Sequence, residues 1–75
     1  MMRFVRVDGG NPLYPHQFHL QKGSETGRVA TNFYAEAVTW ATEQIGPFGQ
    51  TWTMSGYTIS FRRDTDALLF RIRWG

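Results

Sequence analysis

Apolar and polar positions change period along this chain, and the changes mark its elements. Residues 2–7, Met-Arg-Phe-Val-Arg-Val, are β-branched or aromatic with scattered charges and predict a strand. Breakers crowd Asp8-Gly9-Gly10-Asn11-Pro12, and Pro15 keeps the chain extended beyond them, so residues 8–16 predict a long loop. Gln17 to Lys22 alternates polar with apolar and predicts a short second strand, and Gly23 to Gly27 a polar connector. From Val29 to Ile45 no Gly or Pro intervenes. Tyr34, Val38, Ala41 and Ile45 recur at helical spacing, Phe33, Ala37 and Trp40 widen that stripe, and Glu36, Thr39 and Glu43 fall opposite. Thr31 or Asn32 is a candidate N-cap, and Gly46-Pro47 is a stop.

The last third alternates. With Ser55-Gly56 as a two-residue turn, Met54 pairs with Tyr57 and Trp52 with Ile59. With 63–66 as a four-residue loop, Phe61 pairs with Leu68, Ile59 with Phe70 and Tyr57 with Ile72. These registers put Trp52, Met54, Tyr57, Ile59, Phe61, Leu68, Phe70, Ile72 and Trp74 on one face. Thr51, Thr53, Thr58, Ser60, Arg62, Leu69, Arg71 and Arg73 collect on the other. The fold so predicted is α+β: an antiparallel sheet of four to five strands, with a C-terminal three-stranded meander, covered on one face by a single long helix. One alternative stays open, a helical turn over Asp64 to Leu69, because Asp-Thr-Asp-Ala is a serviceable helix start.

A length of 75 residues predicts one domain over 1–75. A chain so short needs large side chains to make a core, and six Phe, three Tyr and three Trp supply them. There is no cysteine, hence no disulfide and no thiolate metal site, which fits a reducing cytoplasm. The longest apolar run, Ala67 to Phe70, falls far short of the roughly 20 residues of a membrane helix. Met1 to Asp8 alternates arginine with apolar residues and forms no signal-peptide core. The net charge of +2 permits nucleic-acid or acidic-protein contact without demanding it.

Catalytic chemistry finds little purchase. His16 and His19 sit three apart on an extended segment, which points them to opposite faces, and no further His or Cys completes a metal shell. They read as ordinary surface or edge histidines. Asp64 and Asp66 suit a turn, Glu36 and Glu43 a solvated helix face, and neither pair resembles a buried acid and base. Ser24, Ser55 and Ser60 lack a nucleophile-elbow context, and Gly46 to Gly49 follows a helix instead of opening one. No enzyme, cofactor or metal is expected.

Two features stand out as binding candidates. Arg62, Arg71 and Arg73 fall on the predicted wet face of the last hairpin with Arg63 at its tip, a layout that can track phosphates. The aromatics that would stack bases alternate onto the other face, which favours a solubilising or protein-facing role. In the 8–16 loop, Leu13 and Tyr14 stand between Pro12 and Pro15, where they either anchor a partner or cap the sheet end.

The run from Trp40 through Gly46-Pro47-Phe48-Gly49, then Trp52, Phe61, Asp66-Ala67 and Phe70-Arg71-Ile72-Arg73-Trp74-Gly75, resembles small uncharacterised bacteriophage-encoded proteins. These end in an Asp-Ala-x-x-Phe-x-Leu-x-Trp-Gly-like pattern, with Ile72 here at the Leu position. The match covers residues 40–75 and rests mostly on core aromatics. The resemblance implies a phage accessory or virion protein working in the host cytoplasm, and it implies no catalytic residue.

Together these readings predict a non-enzymatic, phage-type protein that binds a macromolecule, preferably a protein, as an inhibitor or adaptor. Its predicted contact residues are Leu13, Tyr14, Arg62, Arg63, Arg71 and Arg73. The alternatives are a nucleic-acid module using an arginine-rich sheet face and a minor structural virion protein.

Overall fold

In the computed structural model, which describes residues 2–8, 12–21, 23 and 27–75, two hairpins, a long helix and a short terminal helix follow one another. The order is β1 (Arg3–Asp8), β2 (His16–Gln21), α1 (Gly27–Gln44), β3 (Trp52–Ser55), β4 (Thr58–Phe61) and α2 (Asp64–Trp74). Gly9, Gly10 and Asn11 of the expected loop, Lys22 of the expected second strand and Ser24 to Thr26 of the connector lie outside the described residues. The described residues form a sheet of four strands in the order β1-β2-β4-β3, every neighbour antiparallel. The α+β class expected from the sequence is the class observed.

Register sorts the side chains. Phe4 stands opposite Leu20, Phe18 opposite Ile59, and Phe61 opposite both His16 and Trp52, so these residues share one face. Both helices cover that face. Phe33 of α1 stacks on Phe4 at 5.9 Å, while Phe70 of α2 meets Phe4, Phe18 and Phe61 at 5.0, 5.2 and 5.1 Å. The other face carries Val5, Val7, Gln17, His19, Thr53, Thr58 and Ser60, a polar surface broken by two valines. On α1 the alanines recur where the helix meets the core: Ala30, Ala37 and Ala41 are fully buried. Phe33, Tyr34, Val38 and Trp40 pack beside them, and Glu36, Thr39 and Glu43 face out. The helix begins at Gly27, so Thr31 and Asn32 lie inside it and neither caps it. Thr31 instead exchanges a hydrogen bond with the Tyr57 hydroxyl at 2.9 Å.

The expected third strand of the meander does not exist. Residues 64–74 form α2, and the pairings of Phe61 with Leu68, Ile59 with Phe70 and Tyr57 with Ile72 are absent. The physical reason is that β4 has only two edges: β3 holds one and β2 takes the other, leaving none for residues 67–74. A helix also buries Asp66, Ala67, Phe70 and Trp74 on one side at intervals of three and four. Its ends are favourable: Asp64 and Asp66 occupy the first turn, Arg71 and Arg73 the last, each complementing the helix dipole. Arg63 starts the helix with an extended backbone, and its Nε donates to Asp66 Oδ2 at 2.9 Å in place of a side-chain cap. The turn expected at 63–66 is therefore the first turn of a helix, and the cover of the sheet is two helices, not one.

The β3–β4 turn also differs. Its central residues are Gly56 and Tyr57, so Met54 pairs with Ile59 and Trp52 with Phe61, two positions from the expected register. A shift of two preserves each residue's face, which is why the apolar set survived the error. Both central residues have positive φ, 50° and 66°, as a hairpin twist-matched turn requires. For Tyr57 that backbone costs about 1–2 kcal/mol. Its ring against Tyr34 at 5.2 Å, its hydroxyl on Thr31 and its carbonyl accepting from Leu20 N at 2.9 Å hold it there.

Tyr34 links α1 to this turn by donating to the Thr58 carbonyl at 3.2 Å, and burial raises its pKa above 10.0. In the unfolded chain the phenol ionises near 10, before the folded one does. Above that pH the unfolded state binds fewer protons, so stability falls as pH rises toward the folded value. Tyr34→Phe is expected to flatten that alkaline decline in urea-unfolding midpoints measured between pH 9 and 11. An unchanged slope would assign it to other groups.

Candidate functional site

The chemistry-bearing residues gather at one end of the sheet, where β1 finishes, β2 begins, β4 finishes and α2 starts. Asp8 pairs with His16, and His16 with Phe61, so three strands end level. Both Asp8 and His16 lie within strands, which shortens the expected 8–16 loop at each end. Here a cavity of about 210 Å³ opens to solvent, lined by Arg6, His16, Phe18, Asp64, Ala67, Leu68 and Arg71.

His16 sits between two charged groups. Arg6 Nη2 donates to Nδ1 at 2.9 Å, and Nε2 meets Asp64 Oδ1. Because arginine only donates, Nδ1 is the acceptor and the ring proton lies on Nε2, facing the carboxylate. Both ring nitrogens are thereby occupied, and among the described residues no Ser, Thr, Cys or Lys lines the cavity. The Arg6 guanidinium also lies over the Phe18 ring at 5.9 Å, so it is held from two sides. His16 is thus no edge histidine: β2 is an inner strand, and its side chain joins a sheet arginine to the start of α2. His19 points the opposite way, as the spacing predicted, with Nδ1 3.0 Å from Thr58 Oγ1. Among the described residues no group of three His, Asp or Glu is placed to hold a metal ion.

The expected contact residues divide. Tyr14 and Arg62 come together, the guanidinium 5.3 Å from the ring, while the Tyr14 hydroxyl donates to the Gly49 carbonyl at 3.4 Å. Tyr14 is half-buried against the sheet end, and Leu13 beside it is 61% exposed. Arg63 is paired with Asp66, and Arg73 lies over the Trp74 ring at 4.3 Å. Arg71 lines the cavity. The arginine-rich sheet face is a misreading: Arg71 and Arg73 belong to α2, and Arg62 and Arg63 lead into it. A strand would have aligned three of them on one face, whereas here each turns to a different neighbour.

Sequence reasoning missed the outward side of α2. Leu68, Leu69 and Ile72, expected in part as core, are 56%, 50% and 75% exposed. Leu68 and Ile72 are four apart and Leu69 and Ile72 three apart, so they form one strip on the helix, with Arg71 and Arg73 interleaved. The cavity mouth adjoins this strip through Leu68. The signal that could have found it is the interval of Ala67, Phe70 and Trp74, which already defines an opposite, buried side.

The fold and site define a small sheet-and-helix domain that displays a basic cavity beside an apolar helix strip. No protein-family model matches the chain, and no curated protein or solved structure matches it. Among the described residues no helix is long and apolar enough to cross a membrane.

Proposed function

We propose that this chain is a non-enzymatic, phage-type accessory protein that binds a protein partner in the host cytoplasm, as an inhibitor or adaptor, through the outward side of α2. The observation that carries the reading is the strip of Leu68, Leu69 and Ile72 on a helix whose opposite side is already core. In so small a molecule a contiguous apolar strip rimmed by arginines is the composition of an interface centre with a charged border. Tyr14, Leu13 and Arg62 extend the border at the start of the helix. The engaged nitrogens of His16 support binding over catalysis, and among the described residues no nucleophile lines the cavity beside it.

A nucleic-acid role has less support. A phosphate track needs several cations on one surface, but Arg63 is spent on Asp66 and Arg73 on Trp74. Affinity capture from nuclease-treated host lysate separates the two. The expected result is a retained protein whose recovery survives nuclease and moderate salt. Loss of all captured material on nuclease treatment would replace this reading with nucleic-acid binding.

A further inference from the structure

The cavity at the sheet end points to a ligand, as neither the polar face of the sheet nor the indole of Trp74 does. We propose that it receives one carboxylate, from an Asp or Glu side chain of the protein partner, whose neighbouring apolar residues lie on Leu68, Leu69 and Ile72. This inference rests on the protein-binding reading above and names the chemistry of that partner.

Charge balance selects the ligand. Among the described side chains of the lining, Arg6 and Arg71 bring two guanidiniums and Asp64 one carboxylate, an excess of one positive charge, while both nitrogens of His16 are already engaged by Arg6 and Asp64. One carboxylate neutralises that excess, whereas a phosphate dianion would overshoot it and meet Asp64. Among the described residues the Arg71 side chain, which lines the cavity, has no ion pair or hydrogen bond, so its donors are unspent. Guanidinium presents paired N–H groups that match a carboxylate edge-on. Size agrees: about 210 Å³ is below the roughly 300 Å³ at which whole small-molecule sites begin. It suits a single side-chain group whose parent chain stays outside. Outside lies the α2 strip, reached directly through Leu68, which suits a polypeptide better than a sugar-phosphate chain.

The probe is sodium propionate, the side-chain acid of glutamate, titrated into the ¹⁵N-labelled full chain at neutral pH and constant ionic strength. Propionamide and inorganic phosphate are run in parallel. The expected result is saturable shifts of the His16, Ala67, Leu68 and Arg71 amides with propionate, none with propionamide, and weaker binding of phosphate. Arg71→Gln, at an exposed position, is expected to weaken propionate at least fivefold with the rest of the spectrum unchanged. Equal effects of propionate and propionamide, no saturable shift, tighter phosphate binding, or an Arg71→Gln protein that binds propionate as before would each overturn the proposal. Should lysate capture succeed while propionate fails, the carboxylate pocket falls and the protein-binding reading stands. Should propionate bind as described while no protein is captured, the pocket is upheld and the wider reading falls.

Discussion

Phe70→Ala is expected to cost about 3–5 kcal/mol, and Ile72→Ala close to nothing. Phe70 is fully buried where both hairpins and both helices meet, with the rings of Phe4, Phe18, Phe61 and Trp40 all within 6.0 Å. Truncating it leaves a void bounded by other aromatic rings that cannot all close in. A domain of this size commonly has only about 3–5 kcal/mol in total, so the variant should be largely unfolded at room temperature. Ile72 sits two residues on and is 75% exposed, so its truncation removes surface that was never buried. In a strand over 67–74 both would face the core and both would be costly. Urea unfolding of the two variants therefore also tests the helix, and equal losses would restore the strand.

The second large effect separates two tryptophans. Trp52 is fully buried, its Nε1–H donates to the Gly46 carbonyl at 2.7 Å, and Phe48 packs edge-on at 5.5 Å, so it pins the 46–51 linker to β3. Trp52→Phe loses the bond, leaves a half-buried carbonyl short of a donor and opens space beside it, a cost of about 2–3 kcal/mol. Trp74 is also buried, but among the described residues its Nε1 has no acceptor. An unpaired buried donor costs roughly 1–3 kcal/mol, so Trp74→Phe trades lost packing for relief and should change stability by less than about 1 kcal/mol. Equal midpoint shifts in urea would mean that the indole bond to Gly46 contributes nothing.

How much of this was legible in the chain depends on the element. α1 was readable because Val29 to Ile45 holds a helical stripe and ends on Gly46-Pro47, and local pattern and tertiary packing agree there. The β3–β4 face was readable despite a register two positions off, because a period-two pattern is blind to a shift of two. Residues 67–74 were ambiguous for a different reason. Leu68, Phe70, Ile72 and Trp74 alternate as a strand does, while Ala67, Phe70 and Trp74 recur as a helix does. Only the docking of β2 on β4, a pairing between segments 39 residues apart at His19 and Thr58, decides between them, and local sequence does not encode it. The candidate site shared that fate. Arg6, His16, Asp64 and Arg71 come from three separate elements, β1, β2 and α2, and nothing in their spacing announces a common cavity. Tyr14 and Arg62 stand out in the sequence by residue type alone, and they meet because β2 begins where β4 finishes.

The central claim is that the outward side of α2 serves binding and not folding. Its most direct test is a Leu69→Ser/Ile72→Ser double variant carried through unfolding and lysate capture side by side. The expected result is an unfolding free energy within about 0.5 kcal/mol of the parent, as for surface substitutions generally, together with loss of the captured protein. A variant that stays folded and still retains the same protein would contradict it.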